Sequence, residues 1–440
     1  MKNSRFAAVG ALGLACALTL TACNGSGTSS SGGEQKVSDA KSEGKNLTVW
    51  VMQDDYSAES LAAMEKEFTK KTGAKVTMET QSWDGIATKL TTALATDTPP
   101  DVIDLGNTQV ASYAASGGLM DLSPYAKDLR QGQKWLAGLE DPSTVDGNLY
   151  AVPGFAAARA VIYNKTLWAK AGVAKAPTTY AELTADLDKV KAANKASDFS
   201  AYYLPGQNWY AGLQFTWDAG AEIATRKGDK WTGGFSSTEG QAGLAAFKKF
   251  QNAYSRTASR TADTQQPDQV QVFADGKAGA ITGTSGQIAQ IEKANPDLTD
   301  ADLGSFPLPG TSGKAQPVML AGAVWGVAAK SKQSDLALQW TKVAASPDIQ
   351  GTWIGGHDGW SPISAEGNTE AAGKATAVKK GFFEAALNSR ATPASPAWAA
   401  LEADKSINQL FSTIASGKKT PAEAAQIFDA AAEKALNAAG

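Results

Sequence analysis

Chemistry in this sequence has few nucleophiles and one imidazole to work with. The 440 residues hold a single histidine, His357, and two cysteines, Cys16 and Cys23. A zinc site built on two or more imidazoles is excluded, and Ser–His or Cys–His catalysis would have to use His357. No GxxxxGK(S/T), HExxH or GxSxG pattern occurs, so phosphate-loop, zinc-protease and hydrolase-elbow chemistry lack support. The run Gly279 to Gly286 is glycine-rich but reads as a turn between a strand and a helix, not a dinucleotide fingerprint. Paired carboxylates of a glycosidase come from distant segments, so a secreted glycan-cleaving enzyme stays open as an alternative. Nothing in the sequence asks for a cofactor, a metal or a catalytic group.

Indole beside short polar groups is what the chain has in quantity. There are 12 tryptophans, several placed where strands end or loops begin. Trp83 stands in Gln81-Ser82-Trp83-Asp84, Trp209-Tyr210 follows Pro205-Gly206-Gln207-Asn208, and Trp360 follows Gly355-Gly356-His357-Asp358-Gly359. A sugar ring offers an apolar C–H face and a rim of hydroxyls; indoles cover the first, and carboxylates or amides satisfy the second. Core packing competes for the same residues. Trp50, Trp340 and Trp353 lie inside strand or helix patterns and read as structural, as does Trp217, while Trp168 and Trp231 read as lobe packing or surface. Trp83, Trp209 and Trp360 are the ligand candidates, with Trp325 in an apolar strand after Gly322 able to show one face to a cleft. His357 reads as an incidental loop residue.

These side chains must be positioned by an α/β framework. Leu47–Met52, Lys75–Thr80 and Asp101–Leu105 are strand candidates, separated by amphipathic helices over Ser57–Thr72 and Asp84–Thr96 and followed by a third over Gln109–Ser116. That alternation predicts a parallel layer with ligand sites at the carboxyl ends of its strands. Capping boxes at Thr179-x-x-Glu182 and Thr238-x-x-Gln241 open helices in the middle. Short strands are expected at Val161–Tyr163, Ala201–Leu204, Ala280–Thr282 and Val324–Ala329, and the tail is helical. The length exceeds what one core of roughly 250–300 residues accommodates, which predicts more than one compact lobe. With 41 basic and 44 acidic side chains the net charge is −3, and no basic face is offered to nucleic acid.

The first 22 residues read as a secretory signal, with Lys2, Arg5 and an apolar stretch from Phe6 to Leu20. Leu20-Thr21-Ala22-Cys23 resembles the bacterial lipobox, in which Cys23 is the lipid-attachment site and becomes the mature N-terminus. Two acyl chains there would hold the protein on the outer face of the cell membrane. Cys23 to Lys45 is rich in serine and glycine and predicts a flexible tether, about 25 Å on average and about 75 Å at full stretch.

Four further stretches, in order, carry a resemblance. Pro100-Asp101-Val102-Ile103 with Tyr113-Ala114 and Gly117-Gly118-Leu119 is the first, and Tyr150-Ala151-Val152-Pro153 with Ile162-Tyr163-Asn164-Lys165 the second. Pro177-Thr178-Thr179-Tyr180 with Glu182-Leu183, and the tail Gly417–Ala424, complete the set. Together they resemble the extracellular solute-binding lipoproteins of ABC importers, in the carbohydrate-binding group that includes maltose-binding protein. The resemblance implies a two-lobe periplasmic-binding-protein-like α/β fold with a multi-strand hinge and a cleft between the lobes. Lobe I would comprise 46–156 and 322–366, and lobe II 157–321 and 367–440, with crossings near Gly154–Ala157, Val318–Gly322 and Ala365–Ala372. It also implies a monomeric, non-enzymatic receptor whose partners are a sugar or oligosaccharide and the permease subunits of a membrane transporter. By position, Asp54 matches an acidic sugar contact, Asn107 to Gln109 a loop of polar contacts, and Trp209 an aromatic that touches sugar. Ser285 stands where a stacking Trp is expected, so Trp83, Phe155, Trp325 and Trp360 are the expected substitutes, with Asp84 and Asp358 beside two of them. A non-sugar ligand on the same fold, a polyol, peptide or osmolyte, is the other alternative. Arg159 and Arg390, near the crossings, leave room for an acidic one.

Overall fold

The computed structural model of the protein describes residues 34–438. The expected signal segment, Cys23 and the expected tether up to residue 33 lie outside the described residues.

Eight strands build two sheets: β1 (Asn46–Met52), β2 (Lys75–Gln81), β3 (Val102–Gly106), β4 (Ala151–Ala157), β5 (Arg159–Asn164), β6 (Ala280–Thr284), β7 (Leu303–Phe306) and β8 (Ala321–Val327). The larger sheet runs β2-β1-β3-β8-β4, with β1 parallel to β2 and β3, and β8 antiparallel to β3 and β4. The smaller runs β6-β5-β7, both neighbours antiparallel to β5. The fold is α/β in two lobes, one around each sheet. The chain passes between sheets at Ala158, again between β7 and β8, and a third time beyond Ser361, which pairs with Ala156 before helix Ala377–Ala386 packs on β7 and β5. A two-residue parallel ladder of Val318–Met319 with Ser389–Arg390 lies on the return path.

Local chemistry explains the elements that frame the site. Helix Ala58–Thr72 starts where the Ser57 side chain accepts from the Ser60 N–H, buries Met64 and Phe68, and stops at Gly73, whose φ of 73° a larger residue would resist. The Thr179–Glu182 capping box forms as expected. The next one does not: Ser237, not Thr238, caps helix Thr238–Tyr254 by accepting from Gly240 N–H. The expected strand at Ala201–Leu204 is a segment with isolated bridges only, Ser200 to Ala278 and Tyr203 to Ile281. The glycine-rich stretch before Trp360, read as a loop, is a π-helix over Ile349–Asp358.

The docked part of the chain begins earlier than composition suggests. Residues 34–45 lie along lobe I, with Val37 only 2% exposed and its N–H donating to Asp128 Oδ2 at 2.9 Å. Gln35 and Ser42 N–H groups donate to Pro124 and Thr72 carbonyls. Too few apolar residues to build a core are still enough to dock on one, because a single anchored valine and backbone hydrogen bonds suffice once the partner surface exists.

Candidate functional site

The site is assembled at the carboxyl ends of β1 and β3. After Met52 the chain turns sharply: Asp54 adopts φ 68°, a left-handed conformation that aspartate tolerates better than most residues. That turn leaves Asp54 exposed and Asp55 half-buried; Asp104 follows Val102 and Ile103 inside β3. Asp104 is fully buried, and its Oδ2 accepts from the Met52 N–H at 3.0 Å. Burial drives the Asp55 carboxyl up to about 7, with Asp54 adding repulsion while contacts to Asp104 and the Trp83 indole N–H pull it back. Burial, reinforced by Asp55, likewise raises Asp104 well above the carboxylate range, against the Met52 N–H.

Aromatic rings line the same floor in one unbroken series. Trp340 meets Trp325 edge-on, Trp325 stacks on Tyr56 at 5.2 Å and 20°, Tyr56 meets Phe155 edge-on at 5.3 Å, and Phe155 stacks on Trp360 at 4.9 Å and 18°. Trp360 Nε1 donates to the Asp55 carbonyl, tying the series to the acidic turn. Gly154 permits the packing, since a Cβ there would collide with Tyr56 Oη and press on Trp325 Nε1. Tyr56 Oη and Trp325 Nε1 are buried without a hydrogen-bond partner, as is Asp104 Oδ1. Burial, then the carboxylates of Asp104, Asp55 and Asp358, push the Tyr56 phenol well above its ordinary value.

Lobe II carries a second aromatic cluster. The Arg159 guanidinium lies 3.6 Å from the Tyr210 ring centroid, and Tyr210 in turn stacks on Trp209 at 3.9 Å. Arg159 Nη1 is buried without a partner, and desolvation lowers the guanidinium's pKa against the opposing pull of Tyr210. Ser285 directly follows Thr284, the β-sheet partner of Arg159. Helix Trp398–Ala403, which carries Glu402 on the Trp398 Nε1 at 2.6 Å, approaches Asn107–Gln109 of lobe I. An exposed ion pair, Arg226 with Asp146, also spans the lobes.

The sequence-derived candidates separate accordingly. Trp83 (43% exposed) and Trp360 present free ring area beside Asp55. Phe155 and Trp325 are in the series but buried behind it, at 5% and 0% exposure, so they support the wall instead of forming its surface. Trp209 is similarly covered by Tyr210, at 5% exposure. Asn107 spends its amide on the Gly138 and Leu320 carbonyls, and Gln109 accepts from the Gly106 N–H. Asp358, buried, accepts from Ser57 N–H at 3.5 Å and contacts His357 Nδ1 at 3.0 Å, so it pins the start of helix Ala58–Thr72. Asp84 is exposed on the turn after Trp83, and Asp54 is exposed while Asp55 is half-buried. Sequence reasoning missed Asp55, Tyr56, Asp104 and Tyr210. An acid inside a buried strand was the available signal for Asp104.

The model for "Bacterial extracellular solute-binding protein" matches residues 52–351. The diacetylchitobiose binding protein DasA of Streptomyces coelicolor is 36% identical over 437 residues, covering 99% of both chains. Among solved structures, the sugar-binding protein MalE of Xanthomonas citri superposes with a TM-score of 0.77 at 20% identity, over 89% of this chain and 97% of that one. A cyclo/maltodextrin-binding protein complexed with maltotetraose gives 0.74 at 22% identity, over 89% and 97%. Two lobes, a site at strand carboxyl ends, and a match across most of the sequence agree: the chain belongs to the bacterial extracellular solute-binding protein family, whose members bind solutes and are not enzymes.

Proposed function

We propose that this protein captures a short oligosaccharide, of the N-acetylated chitobiose kind, between its two lobes and hands it to the permease of an ABC importer. The carrying observation is the clustering of Trp83, Trp360 and Tyr56 with the Asp55–Asp104 pair at the ends of β1 and β3. Its chemistry suits a ligand with apolar ring faces and a hydroxylated rim. A full-length relative named for binding diacetylchitobiose narrows the class. Arg159, with an unpartnered Nη1 across the cleft, is suited to an amide carbonyl of such a ligand. Closure of lobe I (46–156, 322–366) on lobe II (157–321, 367–440) is favoured only by the extra affinity of the closed form for ligand. A micromolar affinity, about −8 kcal/mol, is within reach of two stacked rings and several hydrogen bonds. The protein acts as a monomer, held outside the cell membrane by lipid on Cys23.

A thermal-shift and calorimetric screen against diacetylchitobiose, maltose, maltotetraose and monosaccharides tests this, because a ligand that binds only the folded state raises its melting temperature. Stabilisation by diacetylchitobiose and not by maltose is expected. Preference for maltose-type sugars overturns the ligand class, and release of reducing ends from any of them restores the enzyme reading.

A further inference from the structure

We propose that Asn107 is a hinge clamp and not a sugar contact: its amide fixes the second passage between the lobes, and with it how readily they close on a sugar. Asn107 is thus a positioning residue. The inference rests on the sugar-capture reading above and adds what governs closure.

Hydrogen bonds carry the argument. Asn107 directly follows Gly106, the last residue of β3, and is only 5% exposed. Its Nδ2 donates to the Leu320 carbonyl at 3.0 Å and to the Gly138 carbonyl at 3.3 Å. An amide nitrogen has two hydrogens, so neither is left for a ligand hydroxyl. Leu320 is buried and lies between the Val318–Met319 ladder and β8, on the passage from lobe II to lobe I. Gly138 belongs to the single turn Ala137–Glu140, which packs on β4 of lobe I. The Gly138 N–H donates across the passage to Ser389 Oγ at 3.2 Å, and Ser389 is the ladder partner of Val318. A Cβ at Gly138 would stand 2.9 Å from Leu320 Cγ and 3.0 Å from Ser389 Cβ, so glycine is what lets this turn sit on the passage.

The clamp also meets the binding floor. Trp83 Cη2 is 3.7 Å from where a Cβ at Gly106 would stand, and helix Trp398–Ala403 of lobe II approaches Asn107–Gln109. Asn107 therefore joins an exposed indole of the site, a hinge carbonyl and the opposite lobe. A swing of lobe II away from lobe I at this passage parts Leu320 from Asn107 and Ser389 from Gly138. The two bonds together favour the lobe arrangement of this structure. Apparent affinity falls in proportion when the fraction of protein in the competent arrangement shrinks. Asn107→Asp sets an acceptor against two carbonyls and releases the passage.

The test reads affinity and lobe separation apart. In calorimetric titration, Asn107→Asp should weaken diacetylchitobiose and its longer homologues by one common factor, about threefold to tenfold. Small-angle scattering of the sugar-free variant should give a larger radius of gyration than the wild type, and saturating sugar should abolish the difference. Ser389→Ala removes the acceptor of the Gly138 N–H without altering Asn107. It should move both readouts the same way by a smaller amount, and it carries the test if Asn107→Asp does not fold. A direct sugar contact instead predicts lost affinity with unchanged sugar-free scattering. That outcome, or wild-type affinity in both variants, overturns the proposal. If no sugar binds the wild type, the capture reading fails; a larger sugar-free radius in Asn107→Asp then still supports the clamp, and an unchanged one overturns it.

Discussion

The indole Nε1 of Trp360 donates to the carbonyl oxygen of Asp55 at 2.9 Å, joining residues 305 positions apart in the chain. The same indole stacks on Phe155, so one side chain both closes the aromatic series and fixes the turn that leaves Asp55 half-buried. Its two roles can be divided. Trp360→Phe keeps a ring face and loses the hydrogen bond, so sugar affinity should fall about threefold to tenfold. Trp360→Ala loses both, for about 1.4–2.7 kcal/mol or roughly ten- to hundredfold. Calorimetric titration of the two variants, with melting temperatures to confirm folding, checks the order. Equal losses would mean that the ring face contributes nothing.

Gly154 and Tyr56 should be energetically coupled. A methyl at Gly154 would collide with the phenol oxygen, forcing Tyr56 off Trp325. Overpacking of this kind typically costs about 1–3 kcal/mol. Removing the oxygen in Tyr56→Phe also removes a buried unpartnered hydroxyl. We expect Gly154→Ala to be destabilised in the wild type and largely rescued in the Tyr56→Phe background, as read by a urea-denaturation double-mutant cycle. Additive effects would place the strain elsewhere, in the Ala323 carbonyl that the methyl also approaches.

Stability of the ligand-free protein should depend on pH through the same acidic turn. Asp55 has a raised folded-state value, about 7, against about 4 in an unfolded chain. Between those values the folded state binds more protons, so this contribution is present at acid pH and is lost as pH rises toward 7. The loss should amount to about 1–3 kcal/mol after allowance for partial exposure. Carboxylates held low by hydrogen bonds, such as Glu182 at about 2, act in the opposite direction, but only at lower pH. Melting temperatures at pH 5 and pH 8 should therefore fall further in wild type than in Asp55→Asn. Parallel curves would show that Asp55 titrates normally.

Lobe I was largely legible in the sequence because its strands and helices carry clean apolar periods, as in Leu61, Met64 and Phe68 or Ile86, Leu90 and Leu94. The site was legible in its residue types more than in its positions. Trp83 and Trp360 announce themselves as indoles at element ends. That Asp54 stays exposed while Asp55 turns inward depends on the left-handed turn at Asp54, which is invisible to composition and spacing. Trp209 lies under Tyr210, and stacking order is a tertiary fact that residue type does not carry. The π-helix was hidden because Gly355, Gly356 and Gly359 are the usual marks of a loop. Val37 was hidden because the surface that buries it is built by residues far along the chain.

Arg159 offers the sharpest separation of binding from folding. Its guanidinium rests on Tyr210, and burial without a partner for Nη1 weakens its charged form. An incompletely paired buried charge costs stability, so a residue of this kind persists where something else compensates. If the compensation is a ligand oxygen, Arg159→Met should keep or slightly raise the melting temperature of the free protein while weakening sugar binding at least tenfold. Arg159→Lys should recover little, because an ammonium cannot reproduce the planar stack or the forked donors. Both are read by thermal denaturation beside calorimetric titration. A variant that loses stability and keeps its affinity would make Arg159 a strut for Tyr210 and not a contact for the captured solute.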